Sequence, residues 1–163
     1  MATKSSQLQI RVTPRQKATL KKLARSAGTD VSSYVLSRAL PSHRLRFEEI
    51  LAALRTGRDR RYVLAELHDF LAELSGPEFP EAVAHADLAG LPDLDINYVA
   101  AMVEFVANRL AVEPPSWTRY VAPLEEPWFA TSLCALRHHL LRASPVAFKR
   151  RNLFVDATVG DRI

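Results

Sequence analysis

The 163-residue chain has a single cysteine, Cys134, which excludes an intrachain disulfide and any site built from several thiolates. No uninterrupted apolar run approaches the roughly 18 residues of a membrane span. The first residues lack the apolar core of a secretory signal, so a soluble, cytoplasmic protein without a membrane partner is expected. A Gly-rich phosphate loop, a nucleophile elbow and a paired-histidine metalloprotease motif are also missing, as are internal repeats and low-complexity tracts. Acidic residues are nearly absent from one stretch. Residues 1–44 hold Asp30 alone against nine lysines and arginines, a local charge of +8, while the remaining 13 basic and 17 acidic side chains leave residues 45–163 at −4. This asymmetry points to a nucleic-acid-binding head on a body with another task, although a solvated basic helix face would explain the charge taken alone.

With 48% hydrophobic and 25% charged residues, the chain is globular in composition. After a short arm at 1–6, the alternation Gln7-Leu8-Gln9-Ile10-Arg11-Val12-Thr13 has the period of a strand. Leu8, Ile10 and Val12 share one face, and Gln7, Gln9 and Arg11 the other. Glutamine can pair with adenine through two hydrogen bonds and arginine with guanine, so the polar face carries base-reading chemistry. Pro14 ends this strand at a position suited to opening a helix. The spacing of Leu20, Leu23, Ala24 and Ala27 predicts a helix over about 15–27, with Lys17, Lys21, Lys22 and Arg25 on its wet face. Gly28 stands where a left-handed helix end is expected, and a second helix begins near Asp30–Ser32 and reaches about Leu40, before Pro41. A unit of this size buries too little to fold alone, and a lone strand leaves its edge unpaired. Two intertwined copies would remove both problems.

The rest reads as helical. Apolar spacing predicts helices over about 45–55, 59–74, 95–111 (opened by Asp95) and 131–142. Residues 76–94 should form a loop with one short helix at most, and 116–130 a proline-rich segment holding Trp117 and Trp128.

The first 40 residues resemble the ribbon-helix-helix family of bacterial and phage repressors, of which the Arc repressor is a member. The strand alternation before Pro14, Gly28 at the turn between helices and Val31-Ser32-Ser33 at the second helix start carry the resemblance. It implies an intertwined homodimer that lays a two-stranded ribbon in the major groove of an operator. Gln7, Gln9 and Arg11 would then read bases, and Val31, Ser32 and Ser33 would hold a phosphate at the helix N-terminus. Lys21 and Lys22 are further candidates for phosphate contacts. For Ser32 and Ser33, plain helix capping is a second and compatible reading.

For the body, two readings stand side by side. Ribbon-helix-helix heads are common among antitoxins of type II toxin–antitoxin modules, which implies an autoregulating repressor whose C-terminal domain neutralises a toxin partner. The alternative is a free-standing regulator, or a plasmid partition or mobilisation accessory protein. About 119 residues with several full helices is large for an antitoxin extension. The tail Ser144-Pro145 through Phe154 is similar to one found at the end of bacterial DNA-binding proteins with unrelated heads, which implies a reusable interaction module. Within it Arg150, Arg151 and Asn152 could anchor a partner's carboxylate or a phosphate, or form a solvated basic turn. Trp117 and Trp128 could be interface anchors or core fillers. Cys134 and His138 share a helix face but lack further ligands at zinc spacing, so Cys134 is expected in the core and His138 and His139 at its polar edge. Glu66, Asp69 and Glu73 fit the wet face of a helix.

The expectation is therefore a mainly α protein: a ribbon-helix-helix domain over 1–43, one strand plus two helices, and a helical partner-binding or regulatory domain over 44–163. No catalytic residue, metal or cofactor is expected, and the chain is not read as an enzyme.

Overall fold

The computed structural model describes residues 9–26, 28–39, 42–57 and 59–156. The chain divides into two compact units, Met1–Pro41 and Ser42–Ile163. As expected, the described residues are mainly helical.

In the first unit, α1 (Pro14–Ser26) packs against α2 (Val31–Ala39). A reciprocal pair of hydrogen bonds opens α1: the Thr13 N–H donates to Gln16 Oε1 at 2.9 Å, and the Gln16 N–H donates to Thr13 Oγ1 at 3.3 Å. Two amides without helical partners are satisfied in this way, with Pro14 at the first helical position, where no N–H is needed. The helix stops where Gly28 takes a φ of +67°. There the Gly28 N–H reaches the Arg25 carbonyl at 3.1 Å and the Thr29 N–H the Ala24 carbonyl at 3.0 Å, which closes the last turn. Residues 9–13 form neither a helix nor a paired strand in the single chain, and Gln7 and Leu8, the start of the anticipated strand, lie outside the described residues, as do Ala27, Leu40 and Pro41.

The second unit contains α3 (Ser42–Arg55), α4 (Arg60–Glu73), the single turn α5 (Phe79–Ala82), α6 (Asp93–Arg109), a 3-10 helix (Ser116–Tyr120), β1 (Trp128–Phe129), α7 (Cys134–Ala143), α8 (Val146–Lys149) and β2 (Leu153–Phe154). The helical spacing read from the sequence is the spacing of burial. Phe47, Ile50, Leu51 and Leu54 of α3 meet Val63, Leu67, Phe70 and Leu71 of α4 in one core. Each such side chain, fully buried, contributes roughly 1.5–3 kcal/mol. At the centre lies α6, buried on nearly every side from Asn97 to Ala107 and contacted by α4, α8 and the 3-10 helix. A helix surrounded in this way is mostly apolar on every side, its buried polar residues Asn97 and Glu104 each being hydrogen-bonded, and Ala100, Ala101 and Ala107 let its neighbours approach. It opens at Asp93, directly after Pro92, two residues earlier than anticipated. Asp95 is no opening cap: it is 6% exposed and pairs with Arg60.

Two features were not anticipated. Residues 128–129 and 153–154 form a short parallel pair, with Trp128 opposite Leu153 and Phe129 opposite Phe154. Ser144 stitches the tail closed, its Oγ donating to the Leu140 carbonyl at 2.6 Å and accepting from the Val155 N–H at 2.9 Å. The segment Ser144–Val155 is therefore a clip that closes the core, with Phe148 and Leu153 fully buried.

Candidate nucleic-acid interface

The sequence-predicted DNA-reading residues all belong to the first unit. Gln9 and Arg11 are exposed, and Gln7 lies outside the described residues. On α1 the side chains of Arg15, Lys17, Lys21, Lys22 and Arg25 are all exposed. A helix of 13 residues rises only about 20 Å, so these five cations form a dense positive surface suited to a polyanion.

The apolar side of the same unit is left largely uncovered. Ile10 is 61% and Val12 43% exposed, and Leu23 and Leu36 are close to 40%. Only Ala24 of α1 is buried. A groove of about 590 Å³ runs beside the start of α1, lined by Val12, Thr13, Arg15, Gln16, Thr19 and Leu20. Exposed apolar side chains gathered on so small a unit are surface that a partner could cover.

At the start of α2, backbone amides of the expected phosphate site have a partner within the chain. The Asp30 side chain accepts hydrogen bonds from the Ser32 N–H at 2.9 Å and the Ser33 N–H at 3.1 Å. Two of the three amides expected to hold a phosphate are thus already held by a carboxylate, the preferred kind of cap at a helix N-terminus. The Ser32 side chain is exposed and that of Ser33 half-buried, and Val31 begins the helix.

The body candidates for partner binding separate clearly. Arg151 is not a surface anchor. It is 5% exposed, and its Nη2 donates to Glu104 Oε1 at 2.7 Å and to the Thr118 carbonyl at 2.6 Å. Asn152 adopts a φ of +56° and donates from Nδ2 to the Leu124 carbonyl at 2.6 Å. Both residues hold the tail clip to the 3-10 helix region, so their role is internal. Trp117 donates its indole N–H to the Val83 carbonyl at 2.9 Å and packs against the core. Trp128 also packs against the core, with the Arg60 guanidinium 5.8 Å from its ring centroid. Of the five residues, Arg150 alone has an exposed side chain.

Cys134, expected in the core, is exposed, as are His138 and His139. Among the described residues, no group of three or more His, Cys, Asp or Glu side chains is placed to hold a metal ion. None of their helices is long and apolar enough to cross a membrane. A half-buried polar pair also has no sequence signature: His68 Nε2 and Tyr98 OH lie 3.1 Å apart in a hydrogen bond. Burial lowers the His68 pKa, outweighing the nearby Asp69 charge that acts to raise it. Burial also pushes the Tyr98 phenol up to about 12, against the opposing charge of Arg60.

Residues 2–56 match a protein-family model described as NikA-like, mobilization protein NikA. The match covers about a third of the chain and runs past the first unit through α3. No curated protein and no solved structure matches the chain.

Proposed function

We propose that this chain is a sequence-specific, double-stranded-DNA-binding accessory protein of DNA mobilisation, acting as a homodimer through a ribbon-helix-helix head. The observation that carries the reading is the pairing, on one small unit, of exposed Gln9 and Arg11 with five exposed cations on α1 and an uncovered apolar side. Similarity of residues 2–56 to the NikA-like mobilization family supports it and favours mobilisation over the other roles open to such a head. Pairing two copies through residues 7–13 would give each strand its missing partner and cover Ile10 and Val12. The polar face of that ribbon would present Gln7, Gln9 and Arg11 of both copies to base edges in a major groove.

Affinity in this reading comes mainly from phosphate neutralisation by Lys21, Lys22 and their neighbours, and sequence preference from the ribbon. The Ser32 and Ser33 hydroxyls and Val31 flank a backbone phosphate. The body, from about residue 44, serves partner binding or regulation. No catalytic residue or cofactor enters the proposal. A toxin-neutralising role draws no support from the body, where Arg151, Asn152, Trp117 and Trp128 are engaged within the fold.

Binding selection from a randomised duplex pool, followed by variants, tests the proposal. Arg11→Ala should cost roughly 1–3 kcal/mol per lost base contact and relax preference at one position of each half-site. Lys21→Ala and Lys22→Ala should weaken binding to all sequences alike and flatten the salt dependence. No selected sequence, or an unchanged preference after Arg11→Ala, would sink the ribbon assignment.

A further inference from the structure

Most described arginines of the body are paired. Arg44 pairs with Glu48, Arg46 with Glu49 and Glu66, Arg55 with Asp87, Arg60 with Asp95, Arg61 with Asp59, Arg119 with Glu113 and Arg151 with Glu104. Arg137, Arg142 and Arg150 are exposed and, among the described residues, have no carboxylate partner. The body carries a net negative charge, so carboxylates are abundant, yet residues 127–155 contain none.

These three arginines lie on elements that pack together: α7 and α8 each contact β2, which pairs with β1. Arg137 lies over the Phe129 ring of β1, 5.1 Å from its centroid. Arg142 sits about one and a half turns further along α7, and its carbonyl accepts from Lys149 Nζ at 2.8 Å, which holds α8 to the end of α7. Arg150 follows directly as the cap of α8. His138 and His139 are exposed on the same helix, the latter 3.6 Å from Asp156.

We propose that Arg137, Arg142 and Arg150, with Lys149 beside them, form a second, sequence-independent contact for the phosphate backbone of DNA. The inference rests on the DNA-binding reading of the head, because a head bound to DNA keeps the body within reach of the same polyanion. A guanidinium is the side chain best matched to a phosphate, through two parallel hydrogen bonds. Three of them left without carboxylates on neighbouring elements gain most from a ligand supplying its own negative charge. Each phosphate neutralised releases condensed counterions, so the contact should register in the salt dependence of binding.

The test uses the full-length chain and a labelled duplex of mixed sequence, titrated across a salt series. The Arg137→Gln/Arg142→Gln/Arg150→Gln variant should lower the slope of log K against log salt by about 0.9 per lost contact, without altering sequence preference. Each single glutamine variant should lower it by about one such step, and the triple lysine variant should keep most of the wild-type slope. These side chains are exposed, so unchanged far-ultraviolet circular dichroism is expected throughout. Equal slopes for wild type and all glutamine variants would overturn the second contact and leave the head assignment intact. No binding of wild type to any duplex would overturn both. Leu133, Leu136, Leu141 and Val146 are exposed close by in the chain, so vesicles of phosphatidylserine and phosphatidylcholine are the comparison. Loss of vesicle binding in the variants, with DNA binding unaltered, would assign the face to anionic lipid and overturn the proposal.

Discussion

Arg151 and Glu104, 47 residues apart in the chain, meet inside the body through a 2.7 Å hydrogen bond with both side chains at least nine-tenths buried. The guanidinium also takes the Thr118 and Val121 carbonyls, so one charged group ties α6, the 3-10 helix and the tail clip together. Glu104→Ala should therefore destabilise the body by about 3–5 kcal/mol, because it leaves a buried cation without its counter-charge. Replacing both residues together by methionine should cost less than either single removal. Urea unfolding of the three variants checks this, and a Glu104→Ala change of under about 1 kcal/mol would show that the pair is not a keystone.

Asp30 provides a sharper test of how α2 meets phosphate. Its carboxylate caps the helix through the Ser32 and Ser33 amides, yet it places the head's one negative charge where an anion is proposed to sit. An asparagine at this position would cap about as well without the charge. Asp30→Asn should leave stability nearly unchanged and strengthen binding to all duplexes several-fold, whereas Asp30→Ala should cost roughly 1 kcal/mol of head stability. Anisotropy titrations beside thermal melts separate the two. Weaker binding by the asparagine variant would mean that Asp30 itself organises the contact.

Much of the helical frame was legible, for reasons that particular residues make plain. The three- and four-residue spacing of Phe47, Ile50, Leu51 and Leu54, and of Val63, Leu67, Phe70 and Leu71, is also their burial pattern. Pro14 and Gly28 bound α1 because each suits one backbone conformation. The Thr13/Gln16 box has a sequence signature as well, a hydroxyl three residues before a glutamine. Other features leave no local trace. The parallel pair uses two residues from each of two segments 25 apart, too few to show an alternation. An arginine between phenylalanines looks solvated until Glu104 is seen opposite it. Asp30 was legible as a helix cap, but not its hold on both the Ser32 and Ser33 amides.

His68 makes the stability of the body depend on pH in a defined direction. Burial lowers its folded pKa below 6.5, the value of an unperturbed histidine. The unfolded chain therefore binds a proton more readily, and stability must fall as pH drops through 6.5 toward the folded value, then level off. Above that window the contribution is constant, since His68 is neutral in both states. Tyr98, held protonated to about 12, does not titrate there. The urea midpoint should decline from about pH 7.5 to about 5.5 in the wild type and decline less in His68→Gln. Identical slopes for the two proteins would remove His68 as the source.

The turn after α6 holds Ala111 at a φ of +54°, in the left-handed region that a β-carbon disfavours. Its neighbours show why the chain accepts this. The Ala111 N–H donates to the Asn108 carbonyl at 3.2 Å and the Val112 N–H to the Ala107 carbonyl at 3.0 Å, the same closure that Gly28 makes after α1. Glycine would satisfy the same bonds without the steric cost, at the expense of a more mobile unfolded chain. Ala111→Gly should therefore stabilise the body by about 0.5–1 kcal/mol, read as a higher urea midpoint with an unchanged m-value. A lower midpoint would mean that the alanine methyl group contributes packing worth more than the strain it causes.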